Sequence, residues 1–468
     1  MNRTNVLIVG EGPKNNEIVS YFEGKGYGVA QTSVAGLRAL EGQIGGFAAR
    51  TNEREYDAGF VVLAEVPGYE PTDIDGGRVH SLYAPDKRKL LPKDDRLDPV
   101  VFLLDWYGES SMAATLQALT DATDLAGQKR GVYYLSRFVR TAGYGGETLY
   151  RDARNSGVRF IKYEDLSIAF DYNENKFTLV ANDGAIEHKV VTGTIFAEGS
   201  RAATPAFTSA AKALRIRVSQ QGYATEDRFY LAPVLTTRRG VYHISRDVAA
   251  ERLQDGLNAI LADVAGAERE DTETKNTATV DGEKCVFCYS CYRACPHGAM
   301  EPDGLARVME NLPLACQGCG ICASVCPGNA IELLWDEEPV LADKAEKTLV
   351  LCCENSAEIA LKEVLPKMGK DAAYIELQSV PCGGRIGLED ISASLACYGK
   401  VMVAVCMDDA CKHHDGNKRA CAQKRRLDEM LERSGIDVAR LSYTQVSHAL
   451  PGVLRDELTS FVRGETLA

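Results

Sequence analysis

The sequence predicts an α/β protein in three successive parts. A degenerate dinucleotide-type fold is expected over residues 1–266, a cysteine-built α+β module over 281–340, and a small parallel α/β domain over 345–468, with 267–280 as linker. Three observations predict this. "VLIVGEGPKNNEI" (6–18) runs a strand-length apolar stretch into a glycine turn and then a helix. A C-x2-C-x2-C-x3-C-P pattern occurs twice between 285 and 327. Strand and helix signals then alternate from 348 to 410, with cysteine near each strand end.

The whole chain narrows the function classes. Its 468 residues suit several domains, and 45% hydrophobic content suffices for packed cores. A formal charge of −13 argues against nucleic acid or an acidic membrane surface as the main partner. No apolar run approaches the roughly 18 residues that cross a bilayer. "MNRTNVLIVGEG" reads as a strand entering a turn, not as a secretion signal, so a cytoplasmic location is expected. All 15 cysteines lie between Cys285 and Cys421. In a cytoplasmic chain, such crowding points to metal rather than disulfides.

The opening loop places Gly10 and Gly12 at dinucleotide-site offsets, but Asn15 stands where a third glycine would allow close helix–strand packing. After the helix over 17–24, the strand "YGVAQTS" ends in Gln31 and Thr32, where a ribose-binding acid would be expected. A second α/β unit begins at "VVFLLDW", followed by the helix "SMAATLQALTDATDLAG", the strands "GVYYLSR" and "GVRFIKY", a hairpin over "LSIAFDYNENKFTLVA" and the strand "GTIFAEGS". The polar stretch "AEREDTETKNTA" separates all this from the cysteines.

The two repeats, "CVFCYSCYRACP" and "CQGCGICASVCP", have the spacing of a two-cluster bacterial ferredoxin. Each loop offers three thiolates to one cubane, and its fourth cysteine, opening a short helix, serves the other. One [4Fe-4S] cluster is therefore expected on Cys285, Cys288, Cys291 and Cys326, and a second on Cys316, Cys319, Cys322 and Cys295. Gly318 and Gly320 free backbone amides for cluster sulfur. Zinc could use the C-x2-C pairs but gives no reason for the third cysteine or the trailing Cys-Pro.

Beyond 345, strands ending near Cys352–Cys353, Cys382 and Cys406 should bring these residues and Cys411 to one sheet edge. Cys352 or Cys353 with Cys382, Cys406 and Cys411 could hold a [2Fe-2S] cluster, and buried structural thiols are the alternative. Cys397 and Cys421 fall inside helices and read as core. His413 and His414 follow Cys411 and could contact a cluster or substrate, but a solvated loop is the preferred reading.

"CCENSA", "VPCGGRI" and the C-x4-C followed by "GN" resemble the iron–sulfur subunit of methyl-viologen-reducing hydrogenase, in the form fused to proteins like the A-type subunit of heterodisulfide reductase. The first motif of the hydrogenase protein is C-x2-C, and here its second cysteine is replaced by Asn355. "RTAGYGGETLYRDARNSGVRFIKY" (140–163) resembles the corresponding segment of the A-type heterodisulfide reductase protein. "QIGGF", with Gly45 and Gly46, resembles the Gly-Gly of two-domain flavoproteins. "YLAPVLTTRRGVYHISRD" resembles their late FAD-contacting segment, with Ser245 and Arg246 replacing Gly-Asp. The resemblance covers nearly the whole chain and implies a degenerate two-dinucleotide-type flavoprotein fold before the ferredoxin module. It also implies membership of a multi-subunit anaerobic redox complex, with flavoprotein, heterodisulfide reductase-like or hydrogenase-like partners, some of which bifurcate electrons at flavin. Membrane association would then be peripheral, through a partner.

Three coordinated departures from a flavin site argue against bound FAD. The first expectation is thus an electron-transfer subunit with two [4Fe-4S] clusters and a [2Fe-2S] cluster, needing no general acid, base or nucleophile. The alternatives are an FAD-dependent bifurcating oxidoreductase subunit, or else a non-redox scaffold with structural clusters.

Overall fold

The computed structural model describes residues 5–10, 13–64, 68–69, 72–74, 76–84, 86–92, 97–108, 110, 112–141, 145–199, 201–202, 204–218, 224, 226–228, 232–244, 250–272, 275–333, 344–408 and 410–464. The chain forms two compact units, Met1–Glu268 and Arg269–Ala468.

In the first unit, the strand Asn5–Val9 pairs in parallel with Gly28–Thr32 on one side and Phe60–Leu63 on the other. Val6, Leu7, Ile8 and Val9 are buried, as a central parallel strand covered on both faces requires. Because the neighbouring strands follow in opposite directions from it, its carboxyl end is a topological switch point. Gly10 sits there with φ 138° and donates its amide to the Thr32 carbonyl, and the helix Pro13–Gly24 follows. Val241–His243 extends this sheet in parallel beside Phe60–Leu63.

A second sheet contains five parallel strands in the order Arg159–Lys162, Val132–Ser136, Val100–Leu103, Thr194–Ala197 and Arg78–Ser81. The helices Met112–Ala126 and Gly146–Asn155 cover one face, and Leu116, Leu119, Ala122 and Ala153 pack there on Phe102 and Tyr134. The antiparallel strands Asp165–Asp171, Lys176–Asn182 and Glu187–Thr192 cover the other through Phe177, Leu179 and Val190. Arg238 is fully buried and donates to the carbonyls of Leu40, Gly42 and Leu214.

The second unit begins with two small antiparallel pairs, Ala278–Val280 with Ile331–Leu333 and Met300–Asp303 with Val308–Asn311. It continues into a four-stranded parallel sheet ordered Ile375–Val380, Lys344–Cys353, Tyr398–Cys406, Leu441–Val446. Side-chain alternation sends Val350, Met402 and Ala404 toward the helices Ala357–Val364 and Pro451–Arg463. Leu349, Leu351, Val401 and Val403 face Leu388–Cys397 and Gly416–Arg433. The expected parallel α/β class is present, with the fourth strand added beyond the three legible in the sequence. Among the described residues no helix is long and apolar enough to cross a membrane.

Candidate metal centres

The two cysteine loops build matching pockets. Cys285, Cys288, Cys291 and Cys326 line one small cavity, flanked by Val280, Met309 and Ile331 among others. Cys295, Cys316, Cys319 and Cys322 line another. Each fourth cysteine therefore lies across from its own loop. Its position differs from expectation in one respect: Cys295 follows the short helix Ser290–Ala294 rather than opening one, and Cys326 follows Ile321–Ser324. The prolines after both cysteines cannot prolong a helix. Cys295 Sγ accepts from the Ala299 amide and Cys326 Sγ from the Ala330 amide, each at 3.3 Å.

Four thiols around an otherwise mainly apolar cavity suit a soft, thiolate-loving iron–sulfur cubane. Burial pushes the bare thiols of Cys291 up to about 11 and Cys319 up to about 12, and raises Cys322 as well. Gathering them as thiolates therefore requires the positive charge of a bound metal. Cys288 differs: it is exposed, and its hydrogen bond with the Ser290 hydroxyl holds its pKa below the ordinary value.

A third group of thiols lies at the carboxyl edge of the parallel sheet. Cys353 Sγ is 3.4 Å from Cys406 Sγ. Cys406 hydrogen-bonds Cys411, which also hydrogen-bonds Cys382, so four thiols form one continuous chain. Hydrogen bonding with Cys406 pushes Cys353 down to about 7, and hydrogen bonding with Cys382 and Cys406 lowers Cys411. Cys382 and Cys406 are raised correspondingly. Cys352 stands outside this chain: its Sγ lies 3.7 Å from the Gln378 carbonyl, and burial pushes it up to about 12. Asn355 donates instead to the Pro381 carbonyl, tying its loop to the residue before Cys382. Gly416 completes the packing, since a Cβ there would come 2.2 Å from Cys382 Sγ. Cys397 and Cys421 are half-buried, and Cys421 Sγ meets Arg425.

His413 is not the solvated residue its loop position suggests. It is 3% exposed, and its Nδ1 lies 3.0 Å from Nε2 of the equally buried His297. Nitrogens of this pair and Cys319 Sγ fall within 4.8 Å of one another. Burial is fixed by the ferredoxin module, which the loop sequence alone does not reveal. His297 and Ser324 are site residues that motif reading missed, whereas Gly416 belongs to the "GN" that follows the C-x4-C. The one available signal was the broken repeat: "CPHG" after the first loop against "CPGN" after the second.

In the first unit, Gln31 and Thr32 occupy a parallel strand end, as expected. Ile44 and Gly45 form the hairpin turn between Leu37–Gln43 and Gly46–Thr51, with Gly45 at φ 87° and Gly46 opening the second strand opposite Gln43. Gly12, Ser245 and Arg246 lie outside the described residues. Asn15 is 2% exposed at the first turn of Pro13–Gly24, and neither its Oδ1 nor its Nδ2 has a partner among the described residues. A buried amide without partners is costly, so this loop retains one feature that fits a bound polar group.

Two family models match segments of the second unit. The family described as methyl-viologen-reducing hydrogenase, delta subunit, matches residues 348–465, and the 4Fe-4S dicluster domain matches 278–333. Pyruvate synthase subunit PorD of Methanocaldococcus jannaschii is 35% identical over 84 residues, which are 18% of this chain and 96% of that protein. Subunit PorD of Thermotoga maritima is 43% identical over 56 residues, 12% of this chain and 56% of that protein. Among solved structures, T. acidophilum thioredoxin reductase aligns with 57% of this chain and 99% of its own at 13% identity and a TM-score of 0.32.

Proposed function

Since this chain belongs, through its 4Fe-4S dicluster module, to the ferredoxin family that includes pyruvate synthase subunit PorD, we propose that it is an iron–sulfur electron-transfer subunit of a multi-subunit oxidoreductase. Cys285, Cys288, Cys291 and Cys326 would hold one [4Fe-4S] cluster and Cys295, Cys316, Cys319 and Cys322 the other. Cys353, Cys382, Cys406 and Cys411 would hold a [2Fe-2S] cluster. When bound, such clusters supply reversible one-electron transfer.

The observation that carries this reading is contiguity. Cys319 and Cys382 share one apolar cluster with Ala294 and Ile321, so the second cubane site and the four-thiol site adjoin. The chain's own residues hold metal through thiolates, keep water from the second cavity and leave the first near solvent at Cys288. None of these roles moves a proton. The partners are other subunits of a redox complex. The hydrogenase delta-subunit match and the heterodisulfide reductase-like segments point to hydrogenase-like or heterodisulfide reductase-like ones.

A second reading, with FAD in the first unit, is favoured by one observation, the partnerless Asn15 amide at the switch-point helix. Iron, sulfide and flavin analysis of the anaerobically purified chain tests both. The electron-transfer reading expects about ten irons per chain, all reducible, and little flavin. About eight irons would remove the third cluster. Clusters that resist reduction would make the chain a scaffold, and stoichiometric flavin would select the second reading.

A further inference from the structure

The four-thiol site touches the second cubane cavity through two hydrogen bonds with a common arrangement. Ser324 Oγ donates to the Gly384 carbonyl at 2.6 Å, and His297 Nε2 pairs with His413 Nδ1 at 3.0 Å. Each of the four residues stands two places after a cysteine: Ser324 after Cys322, His297 after Cys295, Gly384 after Cys382 and His413 after Cys411. The first bond thus ties the Cys382 turn to the second ferredoxin loop. The other ties the Cys411 loop to the segment leaving Cys295. Between them lie Cys319, Ile321 and Cys382, in contact and buried.

We propose that His297–His413 and Ser324–Gly384 are a two-point clamp that holds the Cys382 and Cys411 edge of the four-thiol site in fixed register against the second cubane cavity. The clamp makes the two cofactor sites one rigid pair. The histidines act as positioning residues, with no ligand role. A buried hydrogen bond between two side chains fixes distance and orientation at both ends. The Ser324 bond uses a backbone carbonyl and fixes one point; a single point still allows rotation about it. The histidine pair supplies the second point and removes that rotation. This inference rests on the reading that Cys353, Cys382, Cys406 and Cys411 hold a cluster.

The test uses the anaerobic full-length chain, with iron and sulfide content, cluster-resolved EPR and redox titration. Wild type should show a magnetic interaction between the reduced second cubane and the four-thiol cluster. His297→Leu and His413→Leu should lose that interaction and shift the four-thiol cluster's midpoint potential, with the first cubane unchanged. The double variant should lose less than the two singles summed, because both singles remove the same shared bond. A glutamine amide lies near the position of Nε2 and an asparagine amide near that of Nδ1. His297→Gln and His413→Asn should therefore keep the interaction, whereas His297→Asn and His413→Gln should not. The glutamine and asparagine variants decide the matter if the leucine variants lose iron. Intact clusters whose interaction and potentials ignore all of these substitutions would overturn the clamp alone. Absence of a third-cluster signal in wild type would overturn both the clamp and the reading beneath it.

Discussion

The two cysteine loops of the ferredoxin module share a backbone and differ in what covers it. In the first, Phe287 and Tyr289 hold φ of 53° and 63°. At the equivalent places in the second, Gly318 and Gly320 hold 62° and 76°. The left-handed turn is required by both loops, but only one uses the residue that adopts it without strain. The reason lies outside the loop. A Cβ on Gly320 would come 2.6 Å from Arg385 Cδ and 2.8 Å from Leu333 Cδ1, and one on Gly318 would come 2.5 Å from the Asn276 carbonyl oxygen. The second loop is glycine because neighbouring segments press on it. The first is open: Cys288 is exposed, and Phe287 and Tyr289 pack on each other at 4.9 Å. One cavity thus opens outward at Cys288, and the other faces the chain's own C-terminal domain.

The largest expected effect tests whether the loops exchange ligands. Cys326→Ala should abolish the EPR signal of the cluster on Cys285, Cys288 and Cys291 while sparing the second cluster. Loss confined to the second would break the assignment. Next, Gly320→Val should destabilise the chain by about 2–4 kcal/mol through left-handed strain and overpacking, and should deplete iron from the second site. Thermal melting with iron analysis checks this, and a wild-type melt would show that the neighbours yield. Smaller is a kinetic contrast. A ferrous chelator should strip the outward cluster several-fold faster than the covered one, followed by their separate EPR signals, and equal rates would erase the distinction. Smallest is Phe287→Gly. Relief of about 1–2 kcal/mol of left-handed strain nearly cancels the lost ring contact, worth about 0.5–1.5 kcal/mol. A melting shift of more than a few degrees would show that the aromatic pair has a further role.

What the sequence revealed follows from how local each constraint is. The cubane motifs were legible because loop spacing alone places three thiols. The C-terminal cysteines were legible as strand ends, since "TLVLCC" and "VMVAVC" are unmistakable buried strands. The choice between Cys352 and Cys353 was not, because it depends on the geometry of the strand end and on Cys406, 53 residues away. His413 read as solvated because its partner stands 116 residues earlier. The strand Leu441–Val446 was missed because "LSYTQV" mixes polar residues into a run whose buried residues are only Leu441, on one face of the sheet, and Thr444 and Val446, on the other. Arg238 lies within the segment that resembles a flavin-contacting one, and nothing local marks its task, because the three carbonyls it serves come from segments distant in sequence.

The cover over the second loop has a consequence for how the protein is made. Leu333 reaches Gly320 from within the ferredoxin module, but Arg385 and the Cys382 turn close on Gly320 and Cys319 only once residues 344 onward have folded. On the proposed cluster assignment, the cavity beneath that cover would be easier to load before residues 344 onward have folded than after, whereas the cavity beside exposed Cys288 would stay open to loading in the folded chain. Reconstitution of the unfolded and the folded apo-chain with iron and sulfide would then differ in the second site and not in the first.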